Sequence, residues 1–566
     1  MIGWLKNPSK TIISAAFVVG IAGLASRLLG LLRQALLASS FGASDYTDIF
    51  YAAFAIPDMV FAILAMGAIG SAFIPVLSRA FVHEQDREQG TLPDRLTPNS
   101  DGARLTLNVF NSLIVVIGIA SLVLIIFAPT VVALIAPGFT NEKQVMTVML
   151  TRIMLLQPVL LAMGNVVGGM LQTLKHFVAF SFAPLLYNLG ILIGIVWFYP
   201  LFGLRGLAWG VVLGALMHFG LQLASGMRLG FRWRPHIDWG SPQLRRVLTL
   251  TLPRTIGLAA DKINIVVIIA IASTLATGSV SIFSWANDLQ FAPVGIIAVA
   301  FATAVFPSLS ADASAQKLTS FSRNFHHALN YILFIVLPVA VLMFVLRAQI
   351  VRLILGFEVG QQQSQFGWYD TQLTAAALGL FTFGIFAQSL IPLVARAFYA
   401  FQNTVTPVVI AVCTSALNII LSIVFVSMFR NNPGFAEPIA SFLDISGLSN
   451  IAILGLPLAF SIAGIVQFML LWTAFKIQYN HVQLEKVLLP VIKIVGASLI
   501  AGLVAFWALR PLAALFDTAT GIGLLWQTIG ASIAAGIAYL IIAYLIRIDA
   551  MHHFVSTVNF LFNGKK

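Results

Sequence analysis

Apolar runs of about 20 residues or longer recur along this 566-residue chain, and that is the length a helix needs to cross a bilayer. Strands of a membrane barrel would alternate with period two and enclose a polar interior, which these continuous runs do not do. The runs predict roughly fourteen transmembrane helices, near 11–39, 46–81, 104–135, 143–173, 177–198, 204–228, 241–275, 279–311, 319–346, 369–401, 404–428, 450–476, 485–509 and 521–548. Composition agrees: 9% of residues are charged, 59% are hydrophobic and the mean hydropathy is +0.95, whereas a soluble domain carries about 25% charged residues. The expected fold class is an all-α polytopic membrane protein.

The net charge of +12 would suggest nucleic acid in a soluble protein. Here the basic residues lie mostly in short loops, so they read as orientation signals and no nucleic-acid partner is expected. Loops on the side of the termini hold roughly twenty Lys/Arg against about seven opposite, which predicts cytoplasmic termini. The first run contains two arginines and no evident cleavage site, so it reads as a first span, not a removed leader. The longest polar stretch is 83–103, and a second basic stretch, Arg228 to Arg246, contains RLGFRWRP. The single cysteine, Cys413, excludes an internal disulfide and any multi-cysteine metal site.

The chain repeats itself. SAFIPVLS (71–78) parallels TAVFPSLS (303–310), and GLAWGVVLG (206–214) parallels GLPLAFSIA (455–463). Between these, Gln172 pairs with Gln402 and Asn188 with Asn418. The offset is about 230 residues and six spans separate the copies, which predicts a parallel repeat with a cavity between its halves. The expected domains are an N-terminal lobe (1–230), a C-terminal lobe (231–480) and two further spans (481–566). Pro57, Pro75, Pro293 and Pro307 interrupt spans 2 and 8 at equivalent places and should kink them. Gly20, Gly23 and Gly30 form a small-residue strip on span 1 suited to close packing or bending.

No HExxH, Walker A or GxSxG motif is present, so no enzyme and no cofactor are expected. The pairs His326-His327 and His552-His553 read as surface or interfacial, since adjacent helical residues point about 100° apart and chelate poorly. The informative residues are charges inside spans, each costing about 2.5–3.5 kcal/mol on insertion scales if left facing lipid at the bilayer centre. The basic ones are Arg27 and Arg33 in span 1, Arg254 and Lys262 in span 7, and Arg396 in span 10; the acidic ones are Asp48, Asp58, Asp261 and Asp288. If spans 1 and 7 flank a cavity, their cations give it a positive wall suited to a pyrophosphate. The competing expectation is structural: Arg254 paired with Asp261, Arg27 with Asp48, and Arg33 and Lys262 reaching an interface.

ASRLLGLLRQALLASSFGASDYTDIFYAAFAIPD (25–58), IAPGF (135–139), SVSIFSWANDLQFAPVGIIAVAFATAVFPSLS (279–310) and FYAFQNTVTP (398–407) together resemble the MurJ/MviN family of lipid II flippases. The resemblance covers spans 1–12, and the family also has two further spans. It implies the multidrug/oligosaccharidyl-lipid/polysaccharide exporter fold, with two six-helix lobes in a V and a lipid-tail groove formed with spans 13 and 14. It implies a bacterial cytoplasmic-membrane transporter whose substrate is undecaprenyl-pyrophosphate carrying a disaccharide-pentapeptide. Membrane lipid and cell-wall synthesis proteins are the implied partners. Arg27 and Arg33 match the family's span-1 arginines and Asp48 its span-2 aspartate. The chain departs from the pattern at Gln34, Phe61, Ala62, Met66 and Asp288, where the family carries charge of another kind. Arg254, Lys262 and Arg396 then stand as replacement charge. An exporter of another lipid-linked oligosaccharide or of small molecules, a carrier-lipid glycosyltransferase and a non-transporting scaffold are the alternatives.

Overall fold

The computed structural model describes residues 12–66, 72–88, 100–356, 364–479 and 488–551. Its order of helices is α1 (Ile12–Phe41), α2 (Asp45–Phe61), α3 (Ile74–Glu88), α4 (Asp101–Ile126), α5 (Ala128–Ile135), α6 (Asn141–Met154), α7 (Gln157–Thr173), α8 (Phe177–Ile193), α9 (Tyr199–Phe202), α10 (Leu204–Arg228) and α11 (Pro242–Ser273). There follow α12 (Ser279–Pro293), α13 (Val299–Ser314), α14 (Leu318–Val345), α15 (Arg347–Leu355), α16 (Trp368–Ala400), α17 (Val405–Asn431), α18 (Pro433–Phe442), α19 (Gly455–Gln478), α20 (Leu488–Leu515) and α21 (Gly521–Leu545). No strand occurs among the described residues. Thirteen helical stretches there are long and apolar enough to cross a membrane. The seventh expected span, 241–275, corresponds to α11, a 32-residue helix that is not among the thirteen.

Large apolar side chains face outward along these helices, as lipid requires. Leu134 is 73% exposed and Trp507 66%, positions that water would penalise by roughly 25 cal/mol per Å² of apolar surface.

The chain forms two compact units, Met1–Val280 and Ser281–Lys566. Helix α11, the first span of the second repeat by sequence, therefore packs within the first unit, against α2 and its neighbours.

In the first unit, α8 and α10 meet through glycines. A Cβ on Gly190 would lie 2.2 Å from the Cα of Gly214, and one on Gly210 would lie 2.4 Å from the Cα of Gly194. Interhelical approach this close needs small residues, because lipid supplies no hydrophobic drive to hold bulkier interfaces together. In the second unit the partner pair is α17 and α19, where a Cβ on Gly455 would lie 2.5 Å from the backbone N of Val426. The last two helices belong to this unit: the Tyr539 hydroxyl on α21 donates to the Phe334 carbonyl on α14 at 2.7 Å, and Gln527 Nε2 donates to the Leu509 carbonyl on α20 at 3.0 Å.

The prolines act through the helical register. Pro57 lies inside α2, which continues as a π-helical turn at Ala62–Met66, and Pro293 ends α12 immediately before a π-helical turn at Val294–Ala298. Proline frees the carbonyl four residues earlier, and a widened turn re-registers the ladder. A π-helical turn thus follows Pro57 and Pro293, whereas α13 runs on through Pro307. The glycine strip of α1 is used less than expected, since a Cβ on Gly20 or Gly23 would meet nothing within 4 Å and only Gly30 approaches a neighbour, Asn188.

Helix endings recur in both units. After α7, Lys175 adopts φ 61° and the His176 N–H donates to the Leu171 carbonyl; after α16, Gln402 adopts φ 59° and the Asn403 N–H donates to the Phe398 carbonyl. These are the same left-handed helix ends.

Candidate functional site

Four helices of the first unit bring their in-span polar groups together. Helix α2 carries Asp58 and α11 carries Lys262, and the Lys262 Nζ lies 2.5 Å from Asp58 Oδ2 with each side chain about one-third exposed (34% and 36%). Helix α8 adds Tyr187, whose hydroxyl is buried without a hydrogen-bond partner among the described residues. Arg33 of α1 and Asp58 both lie near enough for their charges to act on that hydroxyl. Arg33 is half-buried, and its Nε is buried and makes no hydrogen bond among the described residues. Asn188, the residue after Tyr187, ties α8 to α1 by donating to the carbonyl and hydroxyl of Ser26 at 3.2 and 3.3 Å.

A charge at bilayer depth needs a partner, a polar cavity or a ligand. The Lys262–Asp58 pair supplies the first. Arg33 retains unused donor capacity, and a guanidinium offers donors in a planar fork that matches a phosphate edge.

The remaining candidates fall elsewhere. Arg27 is exposed and forms no ion pair among the described residues. It does not meet Asp48: it sits fourteen residues before the end of α1 at Phe41, roughly 20 Å along the axis. Asp48 is 2% exposed, and its Oδ2 accepts the Gly278 N–H at 2.8 Å. Gly278 has φ +88°, and a Cβ there would lie 2.5 Å from the Ala43 carbonyl oxygen, so only glycine fits. Asp48 thus pins the turn after α11 to the start of α2. Neighbouring contacts strengthen that junction: Lys143 pairs with Asp45 and donates to Thr277 Oγ1 at 3.3 Å, and the Gly138 N–H donates to Ser273 Oγ at 3.2 Å. Arg254 lies within α11, but its side chain is outside the described residues, so its pairing with Asp261 lies outside them too; Asp261 is exposed.

Arg396 belongs to the second unit. Its Nη1 donates at 3.3 Å to the carbonyl of Val299, the first residue of α13 after the π-helical turn. Gln34, where the family carries an acid, is 6% exposed and accepts a short hydrogen bond from the Tyr51 hydroxyl. Near the start of α15, Arg347 donates to the carbonyls of Phe344 and Leu443 and to Asp444. Burial pushes this guanidinium below its usual range, and the Asp444 carboxylate opposes that.

No cluster of three or more metal-ligating side chains occurs among the described residues. His326 and His327 lie on α14, half-buried and exposed, and His552-His553 lie outside the described residues. Sequence reasoning missed Tyr187 and the Lys262–Asp58 pair. A usable signal existed for the pair, because an isolated aspartate in span 2 demands a cationic neighbour. None existed for Tyr187, whose selection depends on the packing of α8 against α1.

The sequence profile of the family described as "Lipid II flippase MurJ" matches residues 37–523. The chain belongs to this family. It is 27% identical over 436 residues to a "Probable lipid II flippase MurJ" of Buchnera aphidicola subsp. Acyrthosiphon pisum, a match covering 75% of this chain and 80% of that protein. Among solved structures it is similar to "Lipid II flippase MurJ, inward closed conformation", with TM-score 0.70 and 23% identity over 94% of this chain and 99% of the other. It is also similar in fold to an inward-facing multidrug resistance MATE family transporter of the MOP superfamily, with TM-score 0.61 and 12% identity over 81% and 96% of the two chains. The fold is therefore that of the MurJ flippases, and the MATE transporter shares it.

Proposed function

We propose that this chain moves lipid II, undecaprenyl-pyrophosphate bearing a disaccharide-pentapeptide, from the inner to the outer leaflet of the bacterial cytoplasmic membrane. Arg33 carries the reading: it is a half-buried guanidinium with a buried, unpartnered Nε, and its charge acts on the Tyr187 hydroxyl, as does that of Asp58 from the Lys262–Asp58 pair. A pyrophosphate arriving there meets Arg33 in bidentate fashion and draws Lys262 from Asp58, exchanging one anionic partner for another. The lysine keeps an anionic partner before and after, and the released Asp58 carboxylate is 36% exposed and so open to solvation.

In this proposal Arg27, Arg254 and Arg396 extend the cationic path taken by the head group, and Asp48 is a positioning residue that fixes the end of α11. The sequence halves 1–230 and 231–480 are the bodies that alternate access, segment 481–566 accommodates the lipid tail, and both termini face the cytoplasm. Transport involves no covalent step by the protein, and cell-wall synthesis proteins are its expected neighbours. Energy comes from outside the chain: one charge crossing 100 mV is worth about 2.3 kcal/mol.

Complementation of a flippase-depleted bacterium tests the reading. Wild type should restore growth, and Arg33→Ala at equal membrane abundance should not. Full growth from Arg33→Ala would remove the observation on which the proposal rests.

A further inference from the structure

A concavity with charged residues in its lining lies at the end of the first unit that the charge distribution assigns to the cytoplasmic side. It encloses about 460 Å³ between the first turns of α4 and α11 and the connection from α10 to α11. Its charged lining consists of Asp101, Arg104, Arg232, Arg234, His236 and Asp238. This is the RLGFRWRP stretch, and the transport path proposed above uses none of it.

The connection is held in one shape by two buried asparagines three residues apart on α4. Asn108 pairs reciprocally with the backbone of Asp238, donating to its carbonyl at 2.8 Å and accepting its N–H at 2.9 Å. Asn111 donates to the carbonyls of Arg234 at 2.7 Å and His236 at 2.9 Å, and accepts the Trp233 indole N–H at 3.0 Å. Phe231 is buried against Phe110, with ring centroids 5.5 Å apart. A connection that only joined two spans would need no such bracing. Here the bracing fixes Arg232, Arg234 and His236 around the concavity, the arrangement that lowers the ordering cost of binding.

The charges select the ligand. Three guanidinium groups face two carboxylates, and both carboxylates are committed locally. Asp238 Oδ1 accepts the Gly240 N–H at 2.9 Å, and Asp101 occupies the first turn of α4, where it offsets the positive helix end. The Arg104 and Arg232 side chains make no hydrogen bond or ion pair among the described residues. The first turn of α11 adds its own positive end, capped by Ser241.

We infer that this concavity binds a phosphate-bearing anion, with Arg232 and Arg234 as its principal contacts and Asn108 and Asn111 as the residues that preorganise them. A phosphate monoester or diphosphate matches the forked donors. A phospholipid head group and a soluble phosphorylated compound share that chemistry.

The test uses full-length protein in two arms. Inorganic pyrophosphate is titrated calorimetrically into protein held in nanodiscs of neutral phosphatidylcholine. Separately, native mass spectrometry compares retention of phosphatidylglycerol with that of phosphatidylcholine. Wild type should bind in at least one arm, the first identifying a soluble source and the second a lipid head group. Arg232→Gln/Arg234→Gln should weaken that binding at least tenfold, and Asn108→Ala should weaken it several-fold with both arginines intact. Lys317→Gln/Arg323→Gln, which removes the same charge from exposed positions elsewhere, should leave it within twofold. Absence of wild-type binding in both arms, or equal losses in the two double variants, would overturn the inference. Neither result bears on complementation by Arg33 variants, so this site and the proposed transport path fail separately.

Discussion

The first unit gathers Arg33, Asp58, Tyr187 and Lys262 from four different helices, whereas in the second unit Arg396 donates to a backbone carbonyl, that of Val299. Both units contain left-handed helix ends, at Lys175 and Gln402 among others, and helix pairs that meet through glycine. They nevertheless handle intramembrane charge in opposite ways. A cation satisfied by a carbonyl stabilises its own helix junction. A cation held beside an acid and an unpartnered hydroxyl can exchange partners with an arriving anion, because the site already provides the compensation that a buried charge needs. The difference teaches that helical units built by the same packing rules can differ in where they leave donors unspent.

Variants that break this contrast differ in expected size. Arg33→Ala and Lys262→Ala should each reduce complementation of a flippase-depleted strain to background while membrane abundance, measured by immunoblot, stays within twofold of wild type. Arg396→Ala should leave measurable growth, because its loss opens a single carbonyl contact; equal collapse from all three would erase the distinction between the units. Next in size is packing. Gly190→Ala places a methyl 2.2 Å from the Gly214 Cα and should lower stability by about 1–3 kcal/mol or more, read as a reduced melting temperature of the detergent-solubilised protein. Gly23→Ala, with open space around its Cβ, should leave the melting temperature unchanged or slightly raised. An effect comparable to that of Gly190→Ala is expected at the turn after α11. Asp48→Ala leaves the Gly278 N–H without its carboxylate and should cost about 1.5–3 kcal/mol, the usual worth of a hydrogen bond to a charged group; an unshifted melting curve would refute that role. The finest test exchanges the pair: Asp58→Ala should lower activity, and Lys262→Asp with Asp58→Lys should recover part of what Lys262→Asp alone loses. No recovery would mean that the two residues act independently.

Much of the architecture is legible without coordinates, because apolar run length is a strong signal and bilayer thickness fixes its meaning. The proline-bearing interruptions of spans 2 and 8 are legible for a similar reason, since proline removes a specific hydrogen bond wherever it falls in a helix. The placement of α11 in the first unit is not, because repeat similarity reports ancestry and not which helices pack together. The site is half legible. Arg33, Lys262 and Asp58 announce themselves as charges at bilayer depth, but their partners depend on axial height and helix rotation. That is why the Arg27–Asp48 pairing fails and Lys262 meets Asp58 instead. Tyr187 carries no charge and looks like any interfacial aromatic until α8 is seen against α1. Asp48 resembles a ligand contact by charge alone and is a backbone clamp by geometry.

The central claim is that the first unit's cationic cluster engages the pyrophosphate during flipping. A leaflet-specific assay of lipid II in flippase-depleted cells tests it directly, comparing wild type with Arg33→Ala/Lys262→Ala at matched abundance. The account predicts outer-leaflet lipid II with wild type and only inner-leaflet accumulation with the double variant. Normal outer-leaflet lipid II from the double variant would contradict it.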